Sequence, residues 1–364
     1  MRYALIMAGG SGTRLWPMST AQLPKQLIPF IGGRSLLQIA MERLRGLLPD
    51  EQIFVCAGEH TRDVMLQRLP GLTADRFIGE PVGRDTLPAV GLAAACIRNL
   101  DPDATIAVFT ADHIIEPVDA FQALVTDAFD LAESSPRTLV TFGIEPTEAA
   151  TGYGYLELGE GLNGGARRVA RFREKPDPQN AEAFFEAGPT RYLWNSGMFV
   201  WTAQAVLEGI DRFAPDHAPV LQELGQLWGT DRFEEQIQQV YPELEKISVD
   251  FALMEPASTD SDFTVAAVPM PLKWLDVGSW PSFQDTLERC PQGNSASCDQ
   301  AIQLNSRNTL IASDQQEHVV ATLGCDDLIV IHTAHATLVC HKDHAQDIKQ
   351  LQAAVAERFG AAYV

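Results

Sequence analysis

The 364-residue chain predicts an α/β fold: a mostly parallel sheet covered on both faces by helices, followed by a small β-rich C-terminal domain. Three observations carry this expectation. Strand-like and helix-like segments alternate through most of the chain, the order that builds a parallel sheet from β-α-β units. A polar stretch rich in Ser, Gly and Asn interrupts the pattern at residues 291–298. Beyond it the apolar runs are short and strand-like until a helical segment closes the chain.

Residues 3–8 read as a strand that runs into a Gly-rich turn. Residues 35–48 have helical periodicity, 52–56 form a strand and 60–69 a helix. The strand-like run 76–79 precedes helix 87–99, strand 105–109, helix 120–133 and strand 139–144. From about residue 151, shorter strands at 155–158, 167–172 and 198–201 mix with helices at 203–212 and 217–227. This region reads as a substrate-side insertion on the same sheet. The expected domains are therefore 1–290 and 299–364, the second with strands within 301–339 and a helix over 343–359.

Composition narrows the function. Hydrophobic residues make up 46% of the chain, enough for a sizeable core, and no apolar run approaches the length that spans a bilayer. Nothing at the start has the cationic, apolar and small-residue order of a signal peptide. The formal net charge of −21 argues against nucleic acid and against an anionic membrane as partners. Small anionic substrates remain compatible, because a few local cations dominate at short range. Six scattered cysteines without a Cys-x-x-Cys pair suit a reducing, cytoplasmic setting.

The strongest motif is Met7-Ala8-Gly9-Gly10-Ser11-Gly12-Thr13-Arg14-Leu15-Trp16-Pro17, followed by Pro24-Lys25-Gln26. Glycines let backbone N–H groups approach phosphate oxygens, and Arg14 and Lys25 supply charge for a triphosphate. A dinucleotide fingerprint would need a third glycine where Leu15 stands, and no Gly-Lys-Ser/Thr of a P-loop occurs. Asp112 follows the 105–109 strand, at the carboxyl end where α/β sheets bind ligands. Taken singly, Asp112 reads equally as a turn residue, and Asp276 with Ser279 as a helix cap.

Five further blocks follow in order: Glu80-Pro81-Val82-Gly83-Arg84-Asp85-Thr86-Leu87-Pro88-Ala89, Ala111-Asp112-His113, Phe172-Arg173-Glu174-Lys175-Pro176, Trp194-Asn195-Ser196-Gly197-Met198-Phe199, and Trp274-Leu275-Asp276-Val277-Gly278-Ser279-Trp280. With the glycine block they resemble the mannose-1-phosphate guanylyltransferases, within the sugar-phosphate nucleotidylyltransferases, over residues 3 to about 350. The resemblance implies a Rossmann-like GT-A nucleotidylyltransferase domain on a mostly parallel mixed sheet. It implies transfer of GMP from GTP to α-D-mannose 1-phosphate with release of pyrophosphate. Three departures stand out: Asp85 where the family has Asn, Thr110 where Pro precedes Ala-Asp-His, and no Arg after Ser19.

Roles follow from the resemblance residue by residue. Ala8, Gly9, Gly10, Gly12 and Thr13 would cradle the nucleotide, with Glu80, Asp85 and Thr86 at its base. Arg14 and Lys25 would stabilise charge on the phosphates. Asp112 and Asp276 would hold Mg²⁺, whose hard-oxygen preference suits carboxylates and phosphates. Gly154, Glu174, Lys175 and Asn195 would bind the sugar phosphate, Asn195 by donating to and accepting from vicinal hydroxyls. Glu80 is the candidate for guanine, since a carboxylate matches the N1–H and N2 amino donors that adenine lacks; the competing reading is a solvent-exposed Glu before Pro81. Longer relatives carry an isomerase module. Too few residues follow position 290 for it, so no interconversion of fructose and mannose 6-phosphates is expected.

Two alternatives stand beside this reading: another hexose 1-phosphate such as glucose 1-phosphate, or a non-catalytic paralogue that binds a sugar nucleotide. His332, His335, Cys340, His341 and His344 have spacings that suggest zinc, but they read better as strand ends and a helix start. The sequence leaves the oligomeric state open, a homodimer included.

Overall fold

The computed structural model describes residues 1–10 and 12–364; Ser11 of the glycine block lies outside the described residues. The first strands are β1 (Arg2–Met7), β2 (Ile53–Gly58), β3 (Phe77–Glu80), β4 (Thr105–Thr110), β5 (His113–Glu116) and β6 (Thr138–Ile144). They are followed by β7 (Tyr155–Gly161), β8 (Arg167–Arg173), β9 (Tyr192–Thr202), β10 (Thr264–Pro269) and β11 (Lys273–Asp276). Among the described residues, nine form one sheet in the order β3-β2-β1-β4-β9-β6-β10-β8-β7, and β5 with β11 makes a two-stranded ribbon. Within the sheet β8 and β9 run against the other strands, and the remaining pairs are parallel. The region after residue 151 does extend this sheet, through β7 to β10.

The chain divides into two compact units: residues 1–9, 41–110 and 115–273, and residues 10–40, 111–114 and 274–364. In the first, β1 is buried and largely apolar from Tyr3 to Ile6, as a strand covered on both faces requires, with the charged Arg2 at its start. Helix Thr86–Leu100 buries a continuous face from Leu87 to Ile97 and packs on helices Ala203–Phe213 and Ala218–Leu227. The helix expected over 35–48 spans only Leu36–Glu42. Leu44 and Leu48 are buried as the periodicity suggests, but Gly46 takes φ +88° and Pro49 follows, so the chain turns instead of continuing the helix.

In the second unit, strands β12 (Ser295–Ser297), β13 (Ala301–Leu304), β14 (Leu310–Ser313), β15 (Val320–Leu323), β16 (Leu328–His332) and β17 (Thr337–His341) stack as short rungs. β12, β14 and β16 pair in parallel, as do β13 and β15, while β17 closes antiparallel on β16. Leu310 lies opposite Ile329 and Ala312 opposite Ile331, all buried, so each rung fills the inside of the coil. Helix Ile348–Phe359 follows the last rung. This core also takes in Leu15, Trp16 and Phe30 from the loop after β1, and Val277, Trp280 and Phe283 after β11. Trp280 Nε1 donates to Trp16 O at 3.0 Å and Trp16 Nε1 to Tyr363 O at 2.7 Å. Trp16, beyond the glycine block, is thus tied to the helix after β11 and to the C-terminal turn. No helix among the described residues is long and apolar enough to cross a membrane.

Candidate active site

The second unit carries the charged group. Gly12 has φ +58° at the start of the 3₁₀ turn Thr13–Leu15. A Cβ there would sit 2.4 Å from Ser19 Oγ and 2.8 Å from Lys25 Cβ, so glycine is required by both conformation and space. Lys25 is buried against this loop, and its Nζ donates to Asp112 Oδ2 at 2.5 Å. Asp112 lies in the turn between β4 and β5, and its carbonyl accepts from Val277 N at 3.0 Å, just beyond Asp276 at the end of β11. Ligand atoms of Asp112, His113 and Asp276 lie within 4.8 Å of one another. A Cβ on Gly278 would be 3.4 Å from Asp276 Oδ1 and 3.6 Å from Arg14 Nη2, so the guanidinium and the carboxylate flank that glycine. Arg14 Nη1 also donates to Gln346 Oε1 at 3.2 Å.

The electrostatics of the two aspartates differ. Burial opposes the charge of Asp112, but Lys25 and then His113 outweigh it and hold the carboxyl below its usual range. Burial, reinforced by the charge of Asp112, pushes Asp276 up, against weaker pulls from His113, Lys25 and Arg14. Two carboxylates this close repel each other, as the raised Asp276 shows, and a divalent cation held by both would relieve that repulsion. Ser279, not Asp276, caps the following helix, accepting from Ser282 N in a reciprocal capping box.

The first unit carries the remaining candidates. Ala8 N–H is spent on Cys56 O at 2.8 Å, while Gly9 is exposed. Glu80 ends β3 and is buried to 6% exposure, which overturns the solvent-exposed alternative. Tyr241 OH donates to Glu80 Oε1 at 2.6 Å. Burial pushes the Glu80 carboxyl up despite that bond. Asp85 caps helix Thr86–Leu100 by accepting from Thr86 N, with φ +68°. With ψ −170° this lies outside the left-handed helical region that Asn and Asp tolerate, so Asp85 is held in a strained backbone conformation. Thr86 Oγ1 accepts from Val249 N at 2.8 Å.

Gly154, Glu174, Lys175 and Asn195 are brought together. A Cβ on Gly154 would sit 2.7 Å from Glu174 Oε2, so the glycine makes room for that carboxylate. Lys175 is exposed, takes φ +42°, and its Nζ donates to Glu174 Oε1 at 2.7 Å. The strand expected over 198–201 begins earlier, so Asn195 lies inside β9, whose register slips against β6 beyond Asn195, with Gly197 at φ +70°. Such a bulge re-aims side chains near a site. Thr141 Oγ1 donates to Asn195 Oδ1 at 2.7 Å, and Asn195 Nδ2 donates to Asp250 Oδ1 at 2.7 Å.

Asp250, Tyr241 and His113 were not singled out by sequence reasoning. Asp250 opens a π-helical turn, Asp250–Met254, a geometry frequent at functional sites. Burial and then the Glu174 charge raise its carboxyl to about 7. Only His113 had a signal, as a member of the Ala-Asp-His block. At the C-terminus, His332 Nδ1 pairs with Thr337 Oγ1 at 2.9 Å and His344 Nδ1 with Asp347 Oδ2 at 2.9 Å.

Residues 3–292 match the profile of the nucleotidyl transferase family, and residues 299–353 that of the MannoseP isomerase/GMP-like β-helix domain. The chain is 37% identical over 350 residues to the xanthan biosynthesis protein XanB of Xanthomonas campestris pv. campestris, covering 95% of this chain and 72% of that protein. It is 37% identical over 358 residues to a mannose-1-phosphate guanylyltransferase of Klebsiella pneumoniae, covering 96% and 73%. Its fold is similar to that of a Thermus thermophilus protein described as a mannose-1-phosphate geranyltransferase, with TM-score 0.84, 30% identity and coverage of 97% and 99%.

Proposed function

The chain belongs to the mannose-1-phosphate guanylyltransferase family, and from that premise we propose that it transfers GMP from GTP to α-D-mannose 1-phosphate in the cytoplasm. A phosphate oxygen of the sugar phosphate attacks the α-phosphorus in line as the bond to pyrophosphate breaks. Such chemistry needs positioning and charge neutralisation rather than a nucleophilic side chain. The observation that carries the reading is the cluster of Asp112, His113 and Asp276 with Lys25 bonded to Asp112.

The donor set fits Mg²⁺: Asp112 and Asp276 would hold it, and the ion would neutralise charge on the phosphates. Arg14 and Lys25 add positive charge for the phosphates that the backbone of Gly9, Gly10, Gly12 and Thr13 would cradle. Tyr241 fixes one oxygen of Glu80, and the carboxylate retains lone pairs for the guanine N1–H and N2 amino groups. With Asn195 Oδ1 turned to Thr141 and one amide N–H to Asp250, the sugar hydroxyls are left to the second N–H and to the carboxyls of Glu174 and Asp250. Lys175 meets the sugar's phosphate. The cytoplasmic placement is supported by the free state of all six cysteines.

Pyrophosphate release from each of four nucleoside triphosphates, against mannose, glucose and other hexose 1-phosphates, tests the proposal. The highest kcat/KM is expected for GTP with mannose 1-phosphate. A higher value for another pair would reassign the substrate, and no release with any pair would leave a binding-only protein.

A further inference from the structure

Residues 244–248 lie between the 3₁₀ turn Tyr241–Glu243 and the π-helical turn Asp250–Met254, in no helix or strand of their own. Their backbone groups need partners elsewhere, and several are found on residues 84–87. Ile247 N donates to Arg84 O at 3.3 Å, and Leu87 N donates to Ile247 O at 3.1 Å. Val249 N donates to Thr86 Oγ1 at 2.8 Å, and the Arg84 guanidinium donates to Pro242 O. The segment is a strap laid across the start of helix Thr86–Leu100, where it satisfies Leu87 N, one of the N–H groups that a helix leaves unpaired in its first turn. Its bonds to Arg84 and Thr86 fall on either side of Asp85 and hold the strained backbone there. Buried Tyr241, Leu244 and Val249 anchor the strap in the core of the first unit.

The strap has two ends. At Tyr241 it bonds Glu80, and at Asp250 it bonds Asn195. Thr86 grips it at Val249, one residue short of Asp250. A buried N–H that loses its acceptor is costly, so the Thr86 hydroxyl fixes Val249 and, through it, where Asp250 presents its carboxyl to Asn195. We propose that Thr86 is a positioning residue for the sugar phosphate, acting through Val249 and Asp250, instead of a contact to the nucleotide. The inference rests on the reading that the sugar phosphate binds at Glu174, Lys175, Asn195 and Asp250.

Calorimetry is the test, with mannose 1-phosphate titrated into protein saturated by a GTP analogue that carries a methylene between its α and β phosphates. Thr86→Val keeps the shape and removes the acceptor. Its affinity for mannose 1-phosphate should fall about tenfold, the scale of a buried donor left unpaired, while its affinity for the analogue changes by less than about twofold. Thr86→Ser keeps a hydroxyl and should restore sugar-phosphate binding. Unchanged affinity for mannose 1-phosphate in Thr86→Val overturns the proposal, and so does a loss confined to the analogue, which would return Thr86 to the nucleotide. A second readout needs no variant. Filling the sugar end should tighten the strap, so mannose 1-phosphate should slow amide hydrogen exchange over residues 244–250 of the unaltered protein. An unchanged exchange rate there overturns the proposal even where Thr86→Val fails to fold. If the unaltered protein binds no hexose 1-phosphate, the functional reading falls and takes the proposal with it; if it binds one and Thr86→Val is silent, only the role of Thr86 falls.

Discussion

Asp112 and Asp250 are both carboxylates withdrawn from solvent, and they respond in opposite directions. Asp112 has Lys25 on one oxygen and stays below its usual range. Asp250 has the neutral amide of Asn195 on one oxygen and the negative Glu174 as a neighbour, with Lys175 pulling more weakly the other way, and it rises to about 7. Glu80, with the neutral hydroxyl of Tyr241, is likewise pushed up. Burial penalises charge in every case; what differs is whether a cation compensates it. In the proposed reaction the two aspartates grouped with Lys25 and Arg14 handle phosphate and metal charge, while Glu80 and Asp250, bonded to neutral side chains, read the neutral hydrogen-bonding edges of a base and a sugar.

The largest effect should come from the charged group. Asp112→Asn and Asp276→Asn keep size but remove metal-directed charge, so each should lower turnover by at least ~10²-fold at saturating Mg²⁺. Thermal melting should confirm an intact fold. A near-wild-type rate in either variant would remove that aspartate from the chemistry. On the recognition side, Lys175→Met loses a charged contact to the sugar's phosphate, worth about tenfold in KM for a largely exposed lysine. The KM for GTP should hardly move; if it is the constant that worsens, Lys175 belongs with the nucleotide.

The smallest effect tests the pKa contrast itself. The folded pKa of Asp250, about 7, exceeds the unfolded value near ~4. Between those values the folded state keeps a proton that the unfolded state releases, so the contribution present below ~4 is lost as pH rises through about 7. Asp250→Asn removes this dependence while still accepting from Asn195. Its Tm relative to the unaltered protein should therefore increase from pH 5 to pH 8, by on the order of 1–2 °C for a chain of this length. A difference that is flat or shrinks with pH would mean that Asp250 is not held protonated.

The charged group was the more legible half. Its residues sit at the ends of continuous apolar strands, in blocks where glycines, a lysine and an aspartate follow one another, so local spacing announced them. The recognition group depends on contacts remote in sequence. Tyr241 reaches Glu80 across 161 positions and Asp250 reaches Asn195 across 55, and neither lies in a run that a single sequence distinguishes from ordinary surface helix. The bulge in β9 is hidden for the same reason: Ser-Gly marks irregular backbone, and only pairing with β6 shows it to be inside a strand. The overlong 35–48 helix had the inverse cause, since Leu44 and Leu48 are buried from turns as well as they would be from a helix.

The division of labour is tested most directly by the GTP-to-ATP ratio of kcat/KM, measured side by side in Glu80→Gln and Asp276→Asn. A site that leaves a buried polar group unpaired rejects the wrong ligand strongly. Glu80→Gln should therefore erode the ratio while the Mg²⁺ requirement persists, and Asp276→Asn should lower both values by the same factor and leave the ratio unchanged. An unchanged ratio in Glu80→Gln, or selectivity lost only in Asp85→Asn, would contradict the assignment of guanine to Glu80. A ratio that collapses in Asp276→Asn would contradict the separation of charge handling from base recognition.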